Sequence, residues 1–120
     1  MKNLVLIFLG GGAGSVFRFL ISSSLNGLIA FPLGTFVVNI TGSLLLGFLL
    51  GLGLREISSQ LSLLLMIGFC GGFTTFSTFS AETLELLKAG EYLSLILYSG
   101  LSLACGIIAV FAGIFLSRLI

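Results

Sequence analysis

The residues with the most to offer chemically form one run, Gly71-Gly72-Phe73-Thr74-Thr75-Phe76-Ser77-Thr78-Phe79-Ser80. Adjacent glycines loosen a helix, because glycine loses the most backbone freedom when it is fixed. Five hydroxyls follow within seven residues, interleaved with phenylalanine. Yet the run sits in an apolar segment that would otherwise read as a membrane span. Backbone that leaves helical geometry inside a bilayer persists only where protein or a water-filled cavity covers it. A helix broken here lines something, and that points to transport.

The remaining polar residues narrow the cargo. A cation needs an intramembrane carboxylate. Glu82 is the only acid inside the bilayer zone, late in its span, and the first two apolar segments contain none. An anion needs hydrogen-bond donors, and Asn39, Ser43, Thr74, Thr75, Ser77, Thr78, Tyr98 and Ser102 supply them. Phe76 and Phe79 are three apart and share a helical face. An aromatic ring has a negative face and a positive edge, so edges turned inward could solvate a small anion. Such solvation is weak, which suits conduction, because the ion must leave as well as enter. Packing against lipid or core is the other use of the same two rings. Unwound carbonyls and half-helix ends can also coordinate a cation. Two breaks meeting at a dimer axis would offer enough carbonyl oxygens for sodium.

The elements that position these groups follow from composition. The 120 residues are 58% hydrophobic and 8% charged, where a soluble domain carries about 25% charged residues. A helical span needs roughly 20 apolar residues. The chain therefore reads as one all-α transmembrane domain over residues 1–120, with spans at about 3–21, 32–54, 61–87 and 92–116. The third is long for one crossing, as a helix, a break near its middle and a second helix would be. A basic start followed by Leu4 to Leu9 resembles a signal peptide, but removing it would leave three spans and discard the glycines at 10, 11, 12 and 14. Those glycines suit close helix approach; no strand precedes them, which excludes a dinucleotide loop. Residues 22–27 read as a turn. Thr35, Asn39 and Ser43 form one polar stripe at spacing four, and Gly47 and Gly51 a GxxxG pair. Tyr98 and Ser102 share a face of the last span.

Several function classes drop out. Net charge is +1, too small for a nucleic-acid binder. Histidine and aspartate are absent, which removes the usual zinc, calcium and triad constellations and any nucleophile–base pair, so the chain is not expected to be an enzyme. Cys70 and Cys105 read as small core residues. Orientation follows the Lys/Arg bias of short loops. Lys2, Arg55 and Arg118 lie on the side of the termini and Arg18 and Lys88 on the other. Three against two is almost no bias, so both orientations are expected, and with them an antiparallel homodimer.

In motif order the chain resembles the Fluc (CrcB-type) fluoride channels of bacteria and archaea. The shared motifs are Gly11-Gly12-x-Gly14-x-x-x-Arg18-Phe19, Gly34-Thr35-x-x-Val38-Asn39-x-x-Gly42-Ser43, and Gly68 to Phe79 with Glu82. The resemblance spans essentially the whole chain. It implies a dual-topology homodimer in the inner or plasma membrane, with two antiparallel fluoride pores, each lined by both subunits. It implies too that fluoride would leave the cytoplasm passively through these pores, relieving its toxicity. By the same resemblance Phe76 and Phe79 are the fluoride-facing rings, Asn39 presents a polar group from span two, and Thr78, Glu82, Tyr98 and Ser102 form a polar track, with Ser43 among the pore residues. Arg18 matches a basic residue near the vestibule. The carbonyls of Gly71 and Thr74 match ligands of a structural sodium ion at the dimer centre. One departure stands out: Gly106 and Val110 follow Ser102 where some family members have hydroxyls. The rival reading is a small multidrug-resistance-type, proton-coupled cation exporter. Such exporters use a carboxylate in the first span, which here has Arg18 and no acid.

Overall fold

The computed structural model describes the backbone of all 120 residues and the side chains of all but Leu54 and Arg55, so Arg55's share of the charge balance lies outside the described residues. Helix α1 covers Lys2–Leu25 and α2 covers Leu33–Glu56, with a non-helical Gly53 near its end. The third span is composite. It runs from α3 (Ser59–Ser62) through a π-helical segment (Leu63–Cys70) to α4 (Gly71–Phe73), then breaks and resumes as α5 (Phe76–Lys88). Helix α6 is Tyr92–Ser117. No strand occurs among the described residues. Four stretches, Lys2–Leu25, Leu33–Gly53, Ser59–Lys88 and Tyr92–Ser117, are long and apolar enough to cross a membrane. The chain is an all-helical, multi-pass membrane protein.

The serines expected in a turn belong to α1, which runs on to Leu25. Ser23 and Ser24 each donate to the Leu20 carbonyl, at 3.1 and 2.7 Å, and so stay compatible with the helix. The turn falls on Asn26 and Gly27, where φ is +89° at the glycine. Asn26 Oδ1 then accepts the Gly34 N–H at 2.8 Å and ties the loop to the start of α2.

Glycine packing sets the arrangement. Helix α1 lies on the first half of the third span, and α2 on α6. A Cβ at Gly10, Gly14 or Gly72 would strike backbone across the first of these contacts, and one at Gly47 or Gly113 across the second. Lipid offers no hydrophobic drive between helices, so close backbone approach supplies the association. Few side chains are fully covered. Phe8, Phe111 and Phe115 face outward at 77%, 69% and 62% exposure, as lipid-facing residues do. Cys70 packs in a small core with Leu49 and Ile57, and both it and Cys105 are free thiols.

The break is displaced from the glycine pair. Gly71 and Gly72 are helical, and the extended residues are Thr74 (φ −80°, ψ 155°) and Thr75 (φ −148°, ψ 119°). Gly72 serves packing instead, against the backbone of Gly11.

Candidate functional site

Breaking a helix within a bilayer orphans backbone donors and acceptors that no water can satisfy. Asn39 answers this directly. Its Oδ1 accepts the Thr75 N–H at 2.8 Å, and its Nδ2 donates to the Thr75 carbonyl at 3.1 Å. One side-chain amide thus does for Thr75 what a helical turn would have done, and one Nδ2 hydrogen remains. Thr75 in turn caps α5, since its Oγ1 accepts the Thr78 N–H at 3.2 Å and donates to Thr78 Oγ1 at 3.0 Å.

The carbonyls before the break divide into two sets. That of Cys70 accepts from Thr74 Oγ1 at 2.8 Å and from the Thr74 N–H at 3.0 Å. That of Gly72 accepts from Arg18 Nε at 3.0 Å and Ser15 Oγ at 3.4 Å. Arg18 is therefore turned toward the break, half-buried, with its Nε committed there. The carbonyls of Gly71 and Thr74 accept no hydrogen bond from the described residues. Two uncommitted oxygens at an unwound helix suit a hard cation. Among the described residues no cluster of His, Cys, Asp or Glu offers an alternative metal site.

Aromatic rings continue from the break. Phe76 and Phe79 have centroids 5.9 Å apart, and Phe79 lies 5.1 Å from Tyr98. Phe79 is half-buried, whereas Phe76 is 81% exposed in the single chain. Tyr98 is fully buried, and its hydroxyl donates to Glu82 Oε2 at 2.7 Å. Thr35, equally buried, donates to Oε1 at 2.7 Å. Glu82 is thus held by hydroxyls from α2 and α6. Thr78, one turn away on its own helix, is engaged with Thr75 instead. Thr35 stood on the polar stripe in the sequence without a function, and only the fold supplies its partner.

A cavity of about 420 Å³ opens beside the break. Asn39, Gly42 and Ser43 of α2, Gly71, Thr74, Thr75, Phe76 and Phe79 of the third span, and Ser99 and Ser102 of α6 line it, with Leu46, Met66, Cys70 and Leu103 completing the wall. It brings together Asn39, Ser43, Phe76, Phe79, Ser102, Gly71 and Thr74. Thr78, Tyr98, Glu82 and Arg18 are not among its lining residues. No lining side chain carries a charge, so the cavity presents donors, aromatic rings and apolar surface. Glu82 opens instead on a second cavity of about 390 Å³, with Asn26, Glu85 and Glu91. Phe79 packed at a tilt against Tyr98, with Tyr98 bonded to Glu82, stands between the two.

Residues 5–114 match the family described as CrcB-like protein, Camphor Resistance (CrcB). The chain is 52% identical over 121 residues to the fluoride-specific ion channel FluC of Phocaeicola vulgatus, covering 98% of this chain and 100% of the relative. It is 48% identical over 124 residues to that of Bacteroides fragilis, with 98% of each chain covered. It is 43% identical over 121 residues to that of Pyrococcus furiosus, again with 98% of each covered.

Proposed function

The chain belongs to the CrcB-like family, and on that premise we propose that it is a passive, fluoride-selective ion channel of the inner membrane that releases fluoride from the cytoplasm. One observation carries the reading: an uncharged, donor-lined cavity around Phe76 and Phe79, in a chain whose near-full-length relatives are named fluoride-specific channels.

The chemistry follows from the lining. Fluoride is small and strongly hydrated, so a path that strips its water must return hydrogen-bond donors. The second Nδ2 hydrogen of Asn39 and the hydroxyls of Ser43 and Ser102 are available, and the ring edges of Phe76 and Phe79 add weak positive potential. The absence of a cationic side chain from the lining keeps binding shallow enough for release. Glu82 would repel an anion if it stood bare, but Thr35 and Tyr98 each give it a hydrogen bond. Hydrogen fluoride crosses bilayers uncharged and ionises in a less acidic cytoplasm. A negative-inside potential then drives the anion outward, by about 2.3 kcal/mol per charge per 100 mV. No energy-coupling site is required.

A single chain supplies half the wall. Phe76, 81% exposed, needs a cover if its edge is to face an ion, and an antiparallel second copy provides one. The near-balanced Lys/Arg distribution suits insertion both ways. At the centre of such a homodimer the Gly71 and Thr74 carbonyls of both copies would hold a structural sodium ion, which fixes the two breaks to each other. The cation-exporter alternative finds no support, because α1 has no carboxylate to exchange protons.

Proteoliposomes loaded with fluoride or with a cationic dye separate the two classes. Fluoride-electrode traces are expected to show rapid efflux with valinomycin present and no proton gradient, and the dye is expected to stay put. Dye export without fluoride release would overturn the reading.

A further inference from the structure

Resting on the channel reading above, we propose that Ser43 of α2 and Ser102 of α6 form a paired fluoride-binding station in the larger cavity, and that Gly106 keeps it open.

Several helical serines and threonines in this chain turn back on their own helix. Ser24, Thr41, Ser80 and Thr83 all donate to the carbonyl four residues earlier, at 2.7 to 2.9 Å. Ser102 does not: its Oγ is buried and has no partner. Ser43 Oγ, which is not buried but faces the same cavity, also makes no hydrogen bond among the described residues. Buried hydroxyls are nearly always satisfied, and leaving one unpaired is costly. Two unpaired hydroxyls on facing helices, lining one cavity, describe a site that wants an acceptor. Of the apolar residues in that wall, Leu46 and Leu103 offer no acceptor, and the Met66 thioether already accepts from Ser62 Oγ at 3.2 Å. A dehydrated anion meets both needs at once.

Gly106 lies one turn beyond Ser102. A Cβ built on it meets a single neighbour within 4 Å, the Oγ of Ser43 at 3.9 Å. Any larger side chain there would stand in front of that hydroxyl. Gly106 therefore leaves Ser43 accessible, and the donor that α6 lacks at this level comes from α2 across the gap. A serine at 106 would bring a hydroxyl to the same place from the other side. The path past Ser102 is continued by a change of helix.

The test moves the hydroxyl. Ser43→Thr and Ser43→Val have nearly equal volume and differ in the donor. In fluoride efflux from proteoliposomes, Ser43→Thr is expected within twofold of wild type and Ser43→Val about tenfold slower, the loss of one hydrogen bond to a charged group. Ser43→Ala is expected to be slowed similarly, and Ser43→Ala/Gly106→Ser to recover most of the rate, while Ser43→Ala/Gly106→Ala does not. Size-exclusion profiles matching wild type show that each variant is folded. Wild-type rates in Ser43→Val, or equal rates in the two double variants, would overturn the station and leave the channel reading intact. A wild-type chain that passes no fluoride would instead remove the channel reading, and the station with it.

Discussion

The two cavities have nearly equal volume, about 420 and 390 Å³, and opposite hydrogen-bonding character. The larger is walled by hydroxyls, an amide and ring edges, with donors to spare. The smaller gathers Glu82, Glu85 and Glu91, and Asn26 there has its oxygen already taken by Gly34. On the channel reading, the anion site in this fold is made without a charged side chain. It is made by leaving donors without acceptors where water is scarce. The acidic cavity reverses this: its carboxylates accept rather than donate, so a fluoride ion there must keep its hydration. Phe79, in contact with Tyr98, and Glu82, hydrogen-bonded to Tyr98, mark the boundary.

The contrast can be broken most severely at Asn39. Asn39→Ala leaves the Thr75 N–H and carbonyl without partners, at about 1–3 kcal/mol for each unsatisfied group. Fluoride efflux is expected to fall to the protein-free level and thermal stability in detergent to drop. Efflux within twofold of wild type would mean that Asn39 does not hold the break.

The ring edges come next. Phe79→Ile and Phe76→Ile keep apolar bulk and remove the quadrupole. Phe79 also packs against Tyr98, so the larger loss is expected there, about tenfold in efflux rate or more. Unchanged rates in both variants would return the rings to a packing role.

A smaller effect is expected at the boundary itself. Tyr98→Phe keeps the ring contact and deprives Glu82 Oε2 of its donor. Efflux is expected to slow severalfold, with chloride still excluded. Loss of chloride exclusion would place selectivity at Tyr98 rather than at the rings. The smallest change is expected for Glu85→Gln and Glu91→Gln, both exposed acids of the second cavity. Their charges are screened within about 10 Å at 0.1 M salt. Rates should rise by less than twofold, and only at low ionic strength.

Much of this was legible in the chain itself. Four spans, a composite third helix and the stripe through Thr35, Asn39 and Ser43 follow from apolar length and i, i+4 spacing. The position of the break did not. Glycine pairs loosen helices and also let backbones touch, and one sequence cannot separate the two uses; here Gly72 is a contact and the threonines are the break. The π-helical turn over Leu63–Cys70 has no residue signature in so uniformly apolar a stretch. The partners of Glu82 were hidden for another reason. Thr78 is the hydroxyl one turn from Glu82 in the chain, whereas Thr35 lies 47 residues away and meets the carboxylate only once α2 and the third span are assembled.

Passive, selective conduction is the claim on which the rest stands, and a reversal potential measures it most directly. In a planar bilayer with opposed fluoride and chloride gradients, the current through the purified protein is expected to reverse at the fluoride equilibrium potential, whatever the chloride ratio. Reversal at the chloride potential, or transport that requires a proton gradient, would contradict it.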